Sequence, residues 1–316
     1  MIYYALRRLA VLAILLVGVS FAAFSLLALA PGDPVGILLG DAPRTPATVR
    51  ALRHEYHLDK PFLTQYWLWA RQAVQLNFGR SVQTSLPVRD SITARLPTSL
   101  FLGGYAFILT LVFGVGLGTV AALRRQTATD RVIVGGAIIG LSTPAFVSGV
   151  FLVYVFAIVL HWFPVFGKGS GFLDELQHLT LPACSLALIA SAYVLKHTRA
   201  ALFAVVDQDY VTFARARGLP YRRILFVYIL RNALIPVVTI SGLMLAFLIT
   251  GAVLVEVTFN LPGIGQLLVQ SATTKDLPMI QGVTIVVAAV IMLSNLLADI
   301  AYEAVDPRIH LGRRSK

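Results

Sequence analysis

Apolar positions in this chain come in long unbroken runs, and six of the runs carry no charged side chain: roughly Leu9–Ala30, Pro97–Leu123, Val132–Leu160, Leu179–Leu195, Ile235–Val255 and Pro278–Ala298. A helix needs about 20 apolar residues to cross the hydrocarbon core of a bilayer. Five runs meet that. The fourth has 17 residues between His178 and Lys196, and a lysine can lengthen it by laying its stem along apolar surface while its ammonium stays wet. The pattern predicts an all-α polytopic membrane protein with six transmembrane helices. A transmembrane barrel would alternate with period two instead.

Between the first two runs lies a polar segment, residues 31–97, which opens with Ala30-Pro31-Gly32-Asp33-Pro34, a rigid exit from the membrane. Within it Pro61 starts a predicted helix whose Phe62, Tyr66, Trp69, Ala73 and Leu76 recur at helical spacing, and Asn77 and Gly79 end it. Such an aromatic face rests at the membrane interface or against the bundle, with docking of an external partner as the sharper alternative. Gly114 and Gly118, and likewise Gly136 and Gly140, are four residues apart, so each pair shares a helix face and lets another backbone approach.

Between the fourth and fifth runs lies a basic loop, residues 196–234. Val206, Tyr210, Phe213 with Ala214, and Arg217 recur at helical spacing, and Gly218 and Pro220 then stop the helix. Asp209 opens it and Leu219 follows its stop. Ala214 and Ala216 are small enough to admit a partner groove closely, and Arg215, Arg217, Arg222 and Arg223 give it basic edges. A positive loop lying on anionic lipid would explain the arginines alone, but neither the small residues nor the fixed stop. The loop therefore reads as a docking surface for a soluble partner.

Composition agrees: 57% of residues are hydrophobic and 13% charged, which excludes an ordinary soluble domain. The net charge of +11 could suggest nucleic acid, but its distribution is a topology signal. With the N-terminus placed in the cytoplasm, 16 Lys and Arg fall in the N-terminus, the 124–131 and 196–231 loops and the C-terminus. The other 10 fall outside, 8 of them in the long 31–97 segment that weighs little, which predicts N-in and C-in. Arg7-Arg8 ahead of an apolar run resembles a secretory signal, yet 22 apolar residues exceed the usual 7–15, so this is read as an uncleaved first span.

Chemistry is sparse. Cys184 is the only cysteine, which excludes an internal disulfide or thiolate cluster. His161, His178 and His197 lack metal-ligand spacing, so no metal site is expected. Gly114-x-Gly-x-Gly has no preceding strand, and Gly167-Lys168-Gly169 has no Ser or Thr after the lysine, so neither is a phosphate loop. No nucleophile and base are paired, and no catalytic residue is assigned. Asp299 and Glu303 are read as a solvated helix end. Near-absence of charge within the spans argues against a stand-alone secondary carrier, whose broken helices would hold membrane-centre charges.

The loop motif Tyr210-Val-x-x-Ala-Arg-Ala-Arg-Gly218-Leu, followed by Leu230-Arg-Asn-Ala-Leu-Ile-Pro236, resembles the coupling loop of bacterial binding-protein-dependent ABC importer permeases, in particular the dipeptide, oligopeptide, nickel and glutathione group. The resemblance covers the whole chain. It includes Tyr4-x-x-Arg-Arg-Leu, Ala30-Pro-Gly-Asp-Pro34, Gly79-x-Ser81, Arg95-Leu-Pro97 and Ser142-x-Pro-x-Phe146. Later come Glu256-x-x-Phe-x-x-Pro-Gly-Ile-Gly265, Pro278-x-x-Gln-Gly282, Asn295-Leu-Leu-x-Asp299 and Asp306-Pro-Arg-Ile. One departure stands out: the wider superfamily has Glu-Ala-Ala-x-x-x-Gly, and here Thr212-Phe213-Ala214 precedes Gly218, so an ion pair from that glutamate cannot be carried over.

The resemblance implies the type I importer transmembrane fold, with residues 1–94 as an N-terminal span plus external accessory segment and residues 95–316 as a five-helix permease core. It implies an inner-membrane subunit that binds no cofactor itself and forms half a channel with a homologous second permease. Two ATPase subunits carrying ATP and Mg would dock on residues 209–219, and an external binding protein would deliver the solute. A short peptide is the expected solute, with nickel chelates or glutathione as alternatives in the same architecture. It also makes Glu256, Asn260, Pro262 and Gly263 candidates for an external gate or binding-protein contact; without it, a carboxylate at a span end is simply hydrated.

Overall fold

The computed structural model describes residues 2–29, 33–39 and 44–305. Ala30, Pro31 and Gly32 of the predicted membrane exit and the Asp306-Pro-Arg-Ile motif lie outside the described residues. Among those described there is no β-strand. The first helix is α1 (Ile2–Leu29), followed by α2 (Pro34–Leu39), α3 (Pro46–Glu55) and α4 (Phe62–Val74) in the polar segment between the first two apolar runs. Then come α5 (Val88–Leu123), α6 (Ala128–Ser142), α7 (Ala145–Leu152) continuing as a π-helical segment Val153–Val159, and α8 (Phe172–Val206). The basic loop holds α9 (Asp209–Ala216) and α10 (Tyr221–Arg223). A π-helical segment Ile224–Leu230 leads into α11 (Arg231–Thr258), and α12 (Ile264–Thr273) and α13 (Leu277–Val305) complete the series.

Among the described residues five helical stretches are long and apolar enough to cross a membrane, and the bent pair Ala128–Ser142 with Ala145–Val159 makes up to six. The third predicted span is thus not straight: it bends by 109° at Thr143-Pro144. Pro144 has no N–H to give and disfavours helix at the residue before it, and Thr143 is accordingly extended (φ −104°, ψ 118°). The fourth span, the shortest as a run, is part of a 35-residue helix. Its first turns are polar, with Asp174 and Glu175 near the positive helix end, so hydropathy alone underestimates it.

By contacts the chain forms two compact units, one of residues 1–99 and 262–292, the other of 100–261 and 293–316, so residues 262–292 group with the N-terminal segment. In the first unit α4 lays Phe62, Tyr66 and Trp69 against Phe21 and Phe24 of α1, with ring centroids 5.1–5.8 Å apart, so the aromatic face is taken up by the chain itself. Helix α4 stops at Val74, with Leu76 left-handed (φ 59°), slightly earlier than the spacing predicts. Phe78, Val88, Ile92, Ile264, Leu267, Met279 and Val283 form this unit's core. Buried Asp276 ties the turn at Ser81-Val82 to the start of α13: Ser81 Oγ donates to one carboxylate oxygen, and the Val82 and Met279 N–H groups to the other.

In the second unit α8 is the central element, packed by α11, α6 and α7 around Leu102, Leu179, Leu186, Val194, Leu248 and Val255. The predicted glycine face meets it. A side-chain carbon on Gly114 would lie 2.7 Å from Val194, and one on Gly118 would lie 2.9 Å from the Leu195 carbonyl oxygen. Gly140 likewise faces Leu188, whereas a carbon on Gly136 would touch nothing within 4 Å.

Candidate coupling surface

Helix α9 sits in the basic loop with two distinct faces. Val211 and Ala214 point inward and are buried with Leu202 of α8, Ile224 and Ile229 of the second π-helical segment, and Ala233 of α11. Tyr210, Phe213, Ala216 and Arg217 point outward, and Phe213 is 69% exposed. Asp209 takes the first turn, where a carboxylate favours the helix dipole. The sequence expectation that Ala214 faces a partner groove is thereby corrected: its small side chain admits the helix to its own chain, and only Ala216 of the two alanines is outward.

The stop after α9 has the predicted cause. Gly218 is left-handed (φ 70°), its N–H donates to the Arg215 carbonyl at 2.9 Å, and the Leu219 N–H reaches back to the Ala214 carbonyl at 3.3 Å. This pair of bonds is the Schellman closure, and Leu219 completes it by packing beside Ala214. Arg215, Arg222 and Arg223 are exposed around it.

A second tie was not foreseen. Arg199 on α8 grips Asp130 on α6 in a two-pronged pair, Nε to Oδ1 at 2.8 Å and Nη2 to Oδ2 at 2.9 Å. Asp130 also accepts from the Gln126 N–H, and Thr127 caps the same helix. The guanidinium carbons of Arg199 and Arg125 lie 4.4 and 4.8 Å from the Phe203 ring centroid. Asp207 lies 3.7 Å from Arg125. Partners 69 residues apart leave no local signal in sequence.

The candidates around the end of α11 separate. Glu256 is 0% exposed, so it is not the hydrated span end the sequence suggests, nor a surface contact for a soluble protein in this structure. Asn260 is exposed and left-handed (φ 49°), and it closes α11 as Gly218 closes α9: its N–H donates to the Val257 carbonyl and the Leu261 N–H to that of Glu256. Pro262 is half-buried and Gly263 buried. The Ile264 N–H at the start of α12 donates to Ser99 Oγ at 2.8 Å. His178 and His197 both bond carbonyls of their own helix, Asp174 and Tyr193.

Membrane-length helices bearing a short locked helix on a basic loop define a multi-pass membrane protein with a candidate docking surface. The family model for the binding-protein-dependent transport system inner membrane component matches residues 114–311, and the model for the N-terminal part of such components matches residues 1–103. The chain belongs to this family. It is 38% identical over 309 residues to a protein of Sinorhizobium fredii named as a probable peptide ABC transporter permease, covering 97% of this chain and 98% of that one. It is 38% identical over 312 residues to the oligopeptide transport system permease protein AppB of Bacillus subtilis, with the same coverage. Its fold is shared with the inward-facing MetNI methionine ABC transporter at a TM-score of 0.57 and 17% identity, covering 68% of this chain and 95% of that chain.

Proposed function

We propose that this chain is the permease subunit of an ATP-driven importer and forms half of the translocation channel for short peptides. The names of its relatives support the substrate class. In this reading both termini are cytoplasmic, a homologous permease completes the channel, and two ATPases dock on the loops of the pair. An external binding protein delivers the peptide. ATP and Mg belong to the ATPases, and this chain contributes no catalytic group. The external gate includes Glu256, Asn260, Pro262 and Gly263, with Glu256 acting from inside the chain.

The observation that carries the reading is the two-faced α9. Its inner face is pinned to the end of α8 and, through the π-helical segment, to the start of α11. Its outer face leaves Tyr210 and Phe213 beside arginines, an aromatic anchor with basic surroundings of the kind that dominates interface energetics. A docked ATPase that moves α9 therefore moves α8 and α11 with it, because packed contacts transmit displacement instead of absorbing it.

The test is recovery of partners through a tag on this chain. A second permease and two ATPases are expected with the wild type, and Phe213→Asp is expected to lose the ATPases while the second permease stays. Undiminished ATPase recovery with Phe213→Asp sinks the docking face. A chain that comes out alone and transports without ATP sinks the importer. Uptake of labelled dipeptide, compared with a nickel chelate and glutathione, then fixes the solute.

A further inference from the structure

One groove takes no part in the coupling surface. It encloses about 360 Å³ between α5, α6 and α8 and is lined by apolar and small groups, among them Phe113, Leu117, Ile133, Gly136, Leu188 and Leu195. Gly136 keeps it open, since a side-chain carbon there would meet nothing within 4 Å. Its lining on α8 runs from Cys184 to Leu195. At 1.5 Å per residue this is a length of roughly 17 Å, close to half the ~30 Å hydrocarbon core and so to the depth of one leaflet. A helix about 10 Å across could not enter so small a volume whole.

One end of the groove is cationic. Val132 and Leu195 line it, and their chain neighbours Arg131 and Lys196 are both exposed, with side chains that pair with no described residue. Ile133 packs in one cluster with Leu195, which brings these two cations to the same end. Arg124 bonds Thr129 there, Arg125 faces Asp207, and Arg199 holds Asp130. Five cations thus face two carboxylates, each already engaged, and the unspent positive charge is that of Arg131, Lys196 and Arg124. An apolar groove of one leaflet's depth ending at unpaired cations is complementary to an acyl chain ending in a phosphate.

We propose that this groove binds one acyl chain of an anionic membrane phospholipid, with the headgroup phosphate on Arg131 and Lys196. The full chain, with the subunits that accompany it, is reconstituted in nanodiscs of equal phosphatidylglycerol and phosphatidylcholine, and the lipids it retains are counted by native mass spectrometry. The wild type should retain phosphatidylglycerol preferentially. Arg131→Gln with Lys196→Gln should cut that preference roughly tenfold or more, because each basic residue near an anionic surface contributes independently. Arg131→Lys with Lys196→Arg should keep it, and Gly136→Leu, which fills the groove, should lower retention of both lipids. Equal retention of the two lipids by the wild type overturns the proposal, as does a preference untouched by the paired Gln substitutions. If Gly136→Leu expels a protein subunit and leaves lipid retention unchanged, the groove belongs to that subunit and the lipid proposal also falls. The Gln pair lies at exposed positions, so the test survives should Gly136→Leu fail to assemble.

Discussion

Gly114, Gly116 and Gly118 sit within two turns of one helix, yet only Gly114 and Gly118 touch α8. A methyl on Gly118 would meet the Leu195 carbonyl oxygen at 2.9 Å and Thr198 Cβ at 2.8 Å; on Gly116 it would meet nothing within 4 Å. Carbon contacts relax at about 3.5–4.0 Å, so Gly118→Ala forces α5 and α8 apart by roughly 0.7–1.2 Å. Such overpacking costs about 1–3 kcal/mol, while Ala gains about 1 kcal/mol over Gly in a helix interior. Gly116→Ala should therefore be neutral to stabilising, and Gly118→Ala should fall below it by about 1–3 kcal/mol. Gly114→Ala, 2.7 Å from Val194 Cβ, should behave like Gly118→Ala. Combined, the two should cost less than their sum, because one outward shift of α8 relieves both. A thiol-reactive dye reads this melt directly, since the chain's only cysteine, Cys184, lies on α8 itself. If Gly116→Ala lowers the melting temperature as much as Gly118→Ala does, the close approach of the two helices is wrong.

Arg199→Ala should destabilise by about 1–3 kcal/mol, below the usual cost of breaking a fully buried pair because the arginine is itself partly exposed; Asp130→Asn added to it should recover part of the loss in the same melt, and no recovery would mean the pair is incidental. Gly218→Ala should cost about 1–2 kcal/mol for a left-handed alanine, and Gly218→Pro more, since it also deletes the N–H given to Arg215. ATPase activity measured with peptide uptake should show both variants hydrolysing ATP with less transport per ATP, and full coupling in both would discount the helix stop. Ala214→Glu should lower the melting temperature as well as transport, because its carboxylate would be driven between α9, α8 and α11; a loss of transport with an unchanged melt would put Ala214 back on the outer face.

Much of this architecture is legible in the one-dimensional pattern because the bilayer is an exacting solvent. The long apolar runs had to be helices, and the glycine pair on α5 had to face another backbone. Gly218 followed by Pro220 had to end α9. The bend at Thr143-Pro144 was hidden because a run is scored by its composition, and no charge interrupts Val132–Leu160. Ala214 was misplaced because two alanines two positions apart lie on different sides of a helix, and a loop flanked by apolar surface on one side and a partner on the other gives no sign of which side is which. Glu256 looked wet because span-end carboxylates generally are. Asp130 with Arg199, and Ser81 with Asp276, are contacts across 69 and 195 residues that only folding brings together.

The length of α8 has a mechanical consequence. Beyond Pro182 it continues for 24 residues to Val206, a stiff bar of about 36 Å that exceeds the ~30 Å hydrocarbon thickness. Its end at Leu202 carries α9, and its middle is wedged by Val194 and Leu195 against α5. A bar held at its middle pivots, so about 5° of rocking displaces each tip by roughly 1.5 Å in opposite directions. The close glycine contact is then a fulcrum, and the leverage between the two membrane faces is set by where along α5 the glycines stand.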